Sequence, residues 1–252
     1  MAYTNSYKPP DAPALLPGYY GPEPYDINWI FPLHEATLES ERVKLTPFIP
    51  SEHAKEYAEQ ATAHPELHRW FPFDLPNLDV ILTTVELRVR RDPTWILFAI
   101  IDKARGGALA GVIGLVYASP TNLSVEIAWV LVFPKFQRTY VTTNAVGIIL
   151  QYCLELPTAS PRPGLGLRRA QWMTHSLNKP SHDAAKRMGL KDEGILRWMF
   201  VLPEGKEGHG IPIREGDPQQ SHPGRHSLVL SFCADDWENG GREHVQKLID
   251  RK

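Results

Sequence analysis

Regular alternation sets in at Glu41. Arg42-Val43-Lys44-Leu45-Thr46-Pro47-Phe48 switches between polar and apolar residues, the spacing of a strand with one buried face. Ser51 then offers an N-cap, and His53 to Ala61 reads as a short helix. Trp70-Phe71-Pro72-Phe73 is an aromatic turn. Leu78, Ile81, Leu82, Val85 and Val89 recur at helical spacing and predict a helix over 78–91. Three dense apolar runs follow, Trp95–Asp102, Leu109–Ala118 and Ser124–Phe133, each read as a strand. Arg105-Gly106-Gly107 closes the first two as a hairpin, and Asn122 belongs to the turn before the third.

Beyond Pro134 the period lengthens. Val141, Ala145, Ile148, Ile149, Tyr152 and Leu156 mark a helix reaching about Glu155. A Pro/Gly-rich loop, Pro157–Gly166, leads to a strand over Arg168–His175. Lys179–Met188 is a helix closed at Gly189, where a left-handed cap needs no Cβ. Gly194–Leu202 reads as a strand, His226–Cys233 as the last strand and Asp236–Ile249 as the last helix. Between them Pro203–Gly224 is poor in apolar residues and reads as a long surface loop, ordered or not. Strands and helices mixed in this order predict an α/β or α+β sheet domain.

Residues 1–40 break the pattern. Pro9-Pro10 and Pro22 to Tyr25 keep this stretch irregular, because proline fixes φ and removes a donor. Its aromatics, Tyr19, Tyr20, Tyr25, Trp29 and Phe31, favour a strap laid on the domain; a partly disordered arm is the alternative. The expected organisation is an extension over 1–40 and one domain over 41–252 that carries the 203–224 loop.

Composition narrows the function classes. A chain of 252 residues buries enough surface to fold without disulfides or a structural metal. Its formal net charge is -2, with cations scattered among acids, so it lacks the basic stripe of a nucleic-acid binder. No apolar run approaches the roughly 18 residues of a membrane span, and Met1 to Pro10 has no signal-peptide core. Cys153 and Cys233 read as buried thiols in a reducing compartment, which makes the cytoplasm the default location. His64 and His68 are four apart with Pro65 between them, and no histidines pair at ligand spacing on one element, so no metal is expected.

The block most informative about chemistry joins the strand ending at Pro134 to Lys135-Phe-Gln-Arg-Thr-Tyr-Val-Thr-Thr-Asn-Ala145. It is strand, short turn, helix start. Free amides at a helix N-terminus attract anions, and Thr139, Thr142 and Thr143 add hydroxyls there. A diphosphate would suit this turn; ordinary threonine capping is the competing reading.

Gln137-Arg138-Thr139 and Thr143-Asn144-Ala145 resemble the acyl-CoA motif of the GNAT acetyltransferases, in the RimJ/RimL-like branch. A second block, Asn178-Lys-Pro-Ser181 through Arg187-Met-Gly189-Leu and Glu193-Gly-Ile-Leu-Arg197, is similar to the same family's pattern. The resemblance spans roughly residues 38 to 240. It implies a central mixed, mostly antiparallel, twisted sheet of about seven strands flanked by helices. It also implies acetyl-CoA as cosubstrate, bound by the strand end Val130-Leu131-Val132, by Gln137, Arg138, Thr139, Tyr140, Val141, Thr142 and Thr143, and by Asn178 and Ser181. The sequence departs from the family at the arm's two glycines, occupied by Arg138 and Tyr140; Arg138 is read as supplying charge to a phosphate oxygen. Asn144 replaces the usual glutamate, and Ala185 stands where some relatives carry a tyrosine general acid.

Moving an acyl group from a thioester to an amine requires deprotonating the amine, stabilising the carbonyl oxygen and releasing the thiolate. Glu126, in the central strand, is the candidate base; a substrate-orienting carboxylate or a strand-edge ion pair are its other readings. Amides near Val130 and Val132 would serve the oxyanion. Ser181 either donates to the thiolate or caps its helix, and Asn178 would bond the pantetheine amides. Trp70, Phe71 and Phe73 are assigned to the acceptor pocket, with core aromatics as the alternative. His175 is assigned there too, against a structural role. Arg69 and Arg90 are read as solvated charges. The acceptor expected is a small-molecule or amino-acid amine, taken by a monomer or homodimer; protein acetylation and a non-catalytic acyl-CoA-binding module are the alternatives.

Overall fold

The structure, a computed structural model, describes residues 3–251. Residues 1, 2 and 252, the outer ends of the expected extension and domain, lie outside the described residues. Seven strands, β1 (Val43–Pro47), β2 (Ile96–Asp102), β3 (Ala108–Ser119), β4 (Ser124–Val132), β5 (Arg169–His175), β6 (Lys191–Val201) and β7 (Gly224–Cys233), form one sheet in the order β1-β2-β3-β4-β5-β7-β6. Neighbours pair antiparallel except β4 with β5, which run parallel.

Successive strand residues point to opposite faces. The run Ile96 to Ile100 is buried at every position, so helices cover the sheet on both sides of β2. β6, at the free edge, is exposed along most of its length. The helices are α1 (Pro50–Ala63), α2 (Leu78–Thr84, continued by a wider turn to Arg90), α3 (Val141–Leu154), α4 (Lys179–Arg187), the short α5 (Ala234–Asp236) and α6 (Arg242–Ile249). α3 is buried along most of its length and packs against α6 and the central strands.

Two helix ends differ from expectation. Pro50 occupies the first turn of α1, where its missing N–H costs nothing, so the cap is Ile49 and not Ser51. His53 Nδ1 accepts the Ile49 N–H at 3.0 Å. The last helix is broken at Asn239 and Gly240, the latter at φ 97°, which splits α5 from α6. Gly189 closes α4 at φ 104°, as its sequence position predicts.

Residues 3–15 are exposed, and the chain from Leu16 onward is tied to α2 and α3. The Trp29 indole donates to the Tyr152 hydroxyl, which donates to the Pro32 carbonyl, and the Leu16 amide donates to Thr83 Oγ1. Segment 203–223 carries no strand or helix. It is tied down by Arg69 to Glu207 and by Lys206 to both Asp74 and the His68 carbonyl. Arg69 stays solvated although paired, whereas Arg90 does not: it is mostly covered and pairs with the buried Glu86 at 2.5 Å. Cys153 is buried but Cys233 is only half-buried.

Two irregularities in β4 shape everything near the site. Val112 pairs with Leu131 and Gly114 with Ala128, so β4 takes three steps (128 to 131) where β3 takes two (112 to 114). That is a bulge, and Trp129 within it has φ 54°. On the other side, the parallel ladder with β5 runs from Ser124/Arg169 to Ile127/Trp172 and stops. Both strands continue, β4 to Val132 and β5 to His175, and the sheet forks.

Candidate active site

A cavity of about 430 Å³ lies in the fork. Ile127, Ala128, Trp129 and Val130 of β4 form one side, Trp172, Met173 and Thr174 of β5 the other, and Asn178 and Ser181 of α4 the end. The facing edges of β4 and β5 no longer pair with each other, so they present backbone donors and acceptors to whatever enters.

Glu126 projects into this cavity from the last paired stretch of β4 and is only 6% exposed. Its ladder partner Gln171 donates from Nε2 to Glu126 Oε2 at 2.8 Å. Burial raises the Glu126 pKa above the ordinary carboxylate value, while the Gln171 hydrogen bond and the Arg225 charge pull it back. Arg225, from the start of β7, lines the same cavity and is 5% exposed. It donates from Nη1 to the Trp70 carbonyl at 3.1 Å, lies over the Phe200 ring at 5.1 Å, and is lowered by burial to about 10.

Asn178 is the N-cap of α4, its Oδ1 accepting the Ser181 N–H at 3.3 Å. Ser181 is thus not the cap. Its Oγ accepts the Trp172 indole N–H at 3.0 Å, which leaves the hydroxyl proton to give.

Three side chains of the arm between β4 and α3 bond back onto the protein. Gln137 donates from Nε2 to the Val132 carbonyl at 2.9 Å, the Thr139 hydroxyl to the Phe136 carbonyl at 2.6 Å, and the Tyr140 phenol to Asp102 Oδ1 at 2.7 Å. The Thr139 hydroxyl is therefore not a free donor. Among the described residues, the amides of Arg138, Thr139, Tyr140, Thr142 and Thr143 find no acceptor. Arg138 sits at φ 58°, the left-handed form that glycine adopts freely, so this turn keeps that backbone shape without glycine. Its side chain is exposed. Val141 is fully buried and spends its N–H on Thr139 Oγ1.

Trp70, Phe71 and Phe73 line the cavity. His175 does not. It is 1% exposed, packs behind Trp70 at 4.8 Å between ring centres, and accepts the Leu177 N–H on Nδ1. Burial and the Arg225 charge lower it to about 4, so it stays neutral. Of the β4 strand end, only Val130 reaches the cavity; the Leu131 and Val132 side chains are buried and lie outside its lining. Sequence reasoning missed Gln171, Trp172 and Arg225. Gln171 and Trp172 lie in a recognised strand, but only pairing with β4 brings them to Glu126. Arg225 has no local signal at all. Among the described residues one group of metal-type donors comes together, Cys233, Asp235 and Asp236, within 4.8 Å. Asp236 there is paired with Lys191 and accepts the Cys233 amide, as a helix cap does.

A sheet forked beside a buried carboxylate, with an arm of free amides leading into a helix, is the framework of an acyltransferase. The chain belongs to the acetyltransferase (GNAT) domain family, which matches residues 42–191. Enzymes of this family use acetyl-CoA. Among solved structures it is similar to a GCN5-related N-acetyltransferase from Brucella melitensis, with 22% identity over 85% of this chain and 94% of that one, TM-score 0.64. It is also similar to Mycobacterium smegmatis RimJ in complex with CoA-disulfide, with 17% identity over 81% and 88% and TM-score 0.60. A spermidine N-acetyltransferase from Vibrio cholerae in complex with CoA and spermine aligns at 12% identity over 79% and 100%, TM-score 0.58. At such identities the likeness is one of fold. A comparison with curated proteins finds no match.

Proposed function

We propose that this protein transfers an acetyl group from acetyl-CoA to the primary amine of a small molecule or amino acid, by direct attack. The observation that carries the proposal is the buried Glu126 in the cavity where β4 and β5 part. When bound, acetyl-CoA supplies the acetyl group as an activated thioester.

In this reading the free amides from Arg138 to Thr143 take the diphosphate, with Arg138 adding charge from the solvent side. The open edges of β4 and β5 take the pantetheine amides, beside Asn178. Glu126 accepts the amine proton, directly or through water. Its raised pKa and the lowered pKa of an amine desolvated beside it bring the two closer together. Amides of β4 near Val130 and Val132 stabilise the carbonyl oxygen. Ser181, whose Oγ accepts from Trp172 and keeps its proton to give, donates a hydrogen bond to the departing sulfur.

A small acceptor is favoured over a protein because segment 203–223 is anchored across the aromatic turn, and Met199 and Phe200 of β6 close the cavity from the edge. The RimJ/RimL-like assignment rests on Gln137-Arg138-Thr139 and Asn178 to Arg197, and it makes protein acetylation the second reading. We further assign residues 1–40 as an extension of a single domain over 41–252, working in the cytoplasm as a monomer or homodimer without metal, nucleic acid or membrane. No helix among the described residues is long and apolar enough to cross a membrane.

Thermal shift with acetyl-CoA and thiol release over an amine panel test the proposal. At 100 times its dissociation constant the cosubstrate stabilises by about 2.7 kcal/mol. Stabilisation without turnover on any amine or peptide N-terminus favours a non-catalytic acyl-CoA-binding module; no stabilisation ends the proposal.

A further inference from the structure

We infer that the acceptor is an α-amino acid with an apolar side chain, its carboxylate held by Arg225 and its amine by Glu126. This rests on the acetyltransferase reading above and narrows its substrate.

Arg225 is the unexplained group. It is a buried cation whose only hydrogen bond among the described residues is from Nη1 to the Trp70 carbonyl, and its Nε is buried with no acceptor. A guanidinium withdrawn from water this far is normally matched by a carboxylate in the protein. Glu126 shares the cavity and attracts it electrostatically, yet the two form no ion pair. Two opposite charges therefore line one cavity without forming an ion pair. A molecule that fits between them carries its own pair of charges in reverse order, an ammonium toward Glu126 and a carboxylate toward Arg225. An α-amino acid holds those groups one carbon apart. The remaining wall is aromatic, with Trp70, Phe71, Phe73 and Trp129 on one side, and it suits an apolar side chain. A second cation, Arg88, lies over Phe73 at 5.3 Å on the cavity lining, so the lining carries more positive than negative charge. That balance disfavours a polyamine. A protein N-terminus has an amide where the carboxylate is required.

Isothermal titration of the CoA-saturated protein reads this without requiring turnover. Phenylalanine, tryptophan, leucine and methionine are each compared with the amine formed by removing the carboxylate. At least one amino acid is expected to bind about tenfold tighter than its amine, the scale of one charge-assisted hydrogen bond. Arg225→Met should erase that preference, and Arg225→Lys should restore part of it. Equal binding within every pair, no binding in any pair, or a preference that survives Arg225→Met each overturns the inference. Thiol release measured on the same samples separates the two claims. Selective amino-acid binding without thiol release sinks the transferase reading and leaves the carboxylate site standing. Acetylation of the amines with no preference for the amino acids does the reverse.

Discussion

Gly111→Ala is the sharpest test of the forked strand. A Cβ on Gly111 would stand 2.1 Å from the Leu131 carbonyl oxygen and 2.9 Å from Val132 Cα. An ordinary C···O contact is about 3.3 Å, so the overlap with the oxygen exceeds about 1 Å. Both obstacles are backbone, on the strand that forms one arm of the fork, and no rotamer relieves the clash. Gly111 also has φ 154°, outside the range side chains prefer. Overpacking of this kind costs about 1–3 kcal/mol and the backbone strain about 1 kcal/mol or more. In a chain of this size that sum lowers Tm by about 5–15 °C. Gly107→Ala is the control: its φ is 78° with open space around the Cβ, so it reports strain without collision. Because Gln137 is anchored on the Val132 carbonyl, displacing β4 also displaces the amide arm. Acetyl-CoA affinity should fall about tenfold, that is, by roughly 1.4 kcal/mol. Paired melting curves with and without acetyl-CoA measure both effects. If Gly111→Ala melts within about 2 °C of Gly107→Ala and binds acetyl-CoA as the parent does, the geometry argued for β4 is wrong.

Glu126→Gln should cut kcat by about a hundredfold and leave acetyl-CoA affinity intact, with the parent's rate rising as pH passes its raised carboxyl pKa; equal turnover between about pH 6 and 9 removes Glu126 from the chemistry. The same shift has a stability signature. The folded state holds this proton more tightly than the unfolded chain, so stability falls as pH rises from the ordinary value of 4.5 to the raised one, and denaturant titrations of Glu126→Gln should lack that fall. Arg138→Gly should weaken acetyl-CoA by less than about fivefold, since an exposed charge contributes at most about 1 kcal/mol while the backbone turn survives; a larger loss would assign the grip to the guanidinium. Asn178→Ala removes the α4 cap and should cost about 1 kcal/mol, read as a lower Tm.

Local patterning made much of the architecture legible. The strands announced themselves because alternation and apolar runs are properties of adjacent residues, and Gly189 closed α4 where its sequence position placed it. Where two local signals competed, the weaker lost. The apolar period across Trp237 to Ile249 concealed the break that Asn239-Gly240-Gly241 encodes, and Ser51 looked like a cap although Pro50 had already fixed the helix start. The arm keeps its turn at Arg138 without glycine, because φ there is set by the turn it must close and not by residue type alone.

Sequence by itself determined the order of strands and helices, the strand–arm–helix unit, and the presence of a carboxylate in the central strand, all of them short-range properties of the chain. Only the tertiary structure decided where the parallel ladder stops, that the Leu131 and Val132 side chains turn from the cavity while Val130 lines it, and that His175 sits behind Trp70. It also decided that β7, inserted between β5 and β6, carries Arg225 to the cavity of Glu126. Those facts depend on which strands become neighbours, and pairing between distant segments is settled by the packing of the whole core and not by any window of residues.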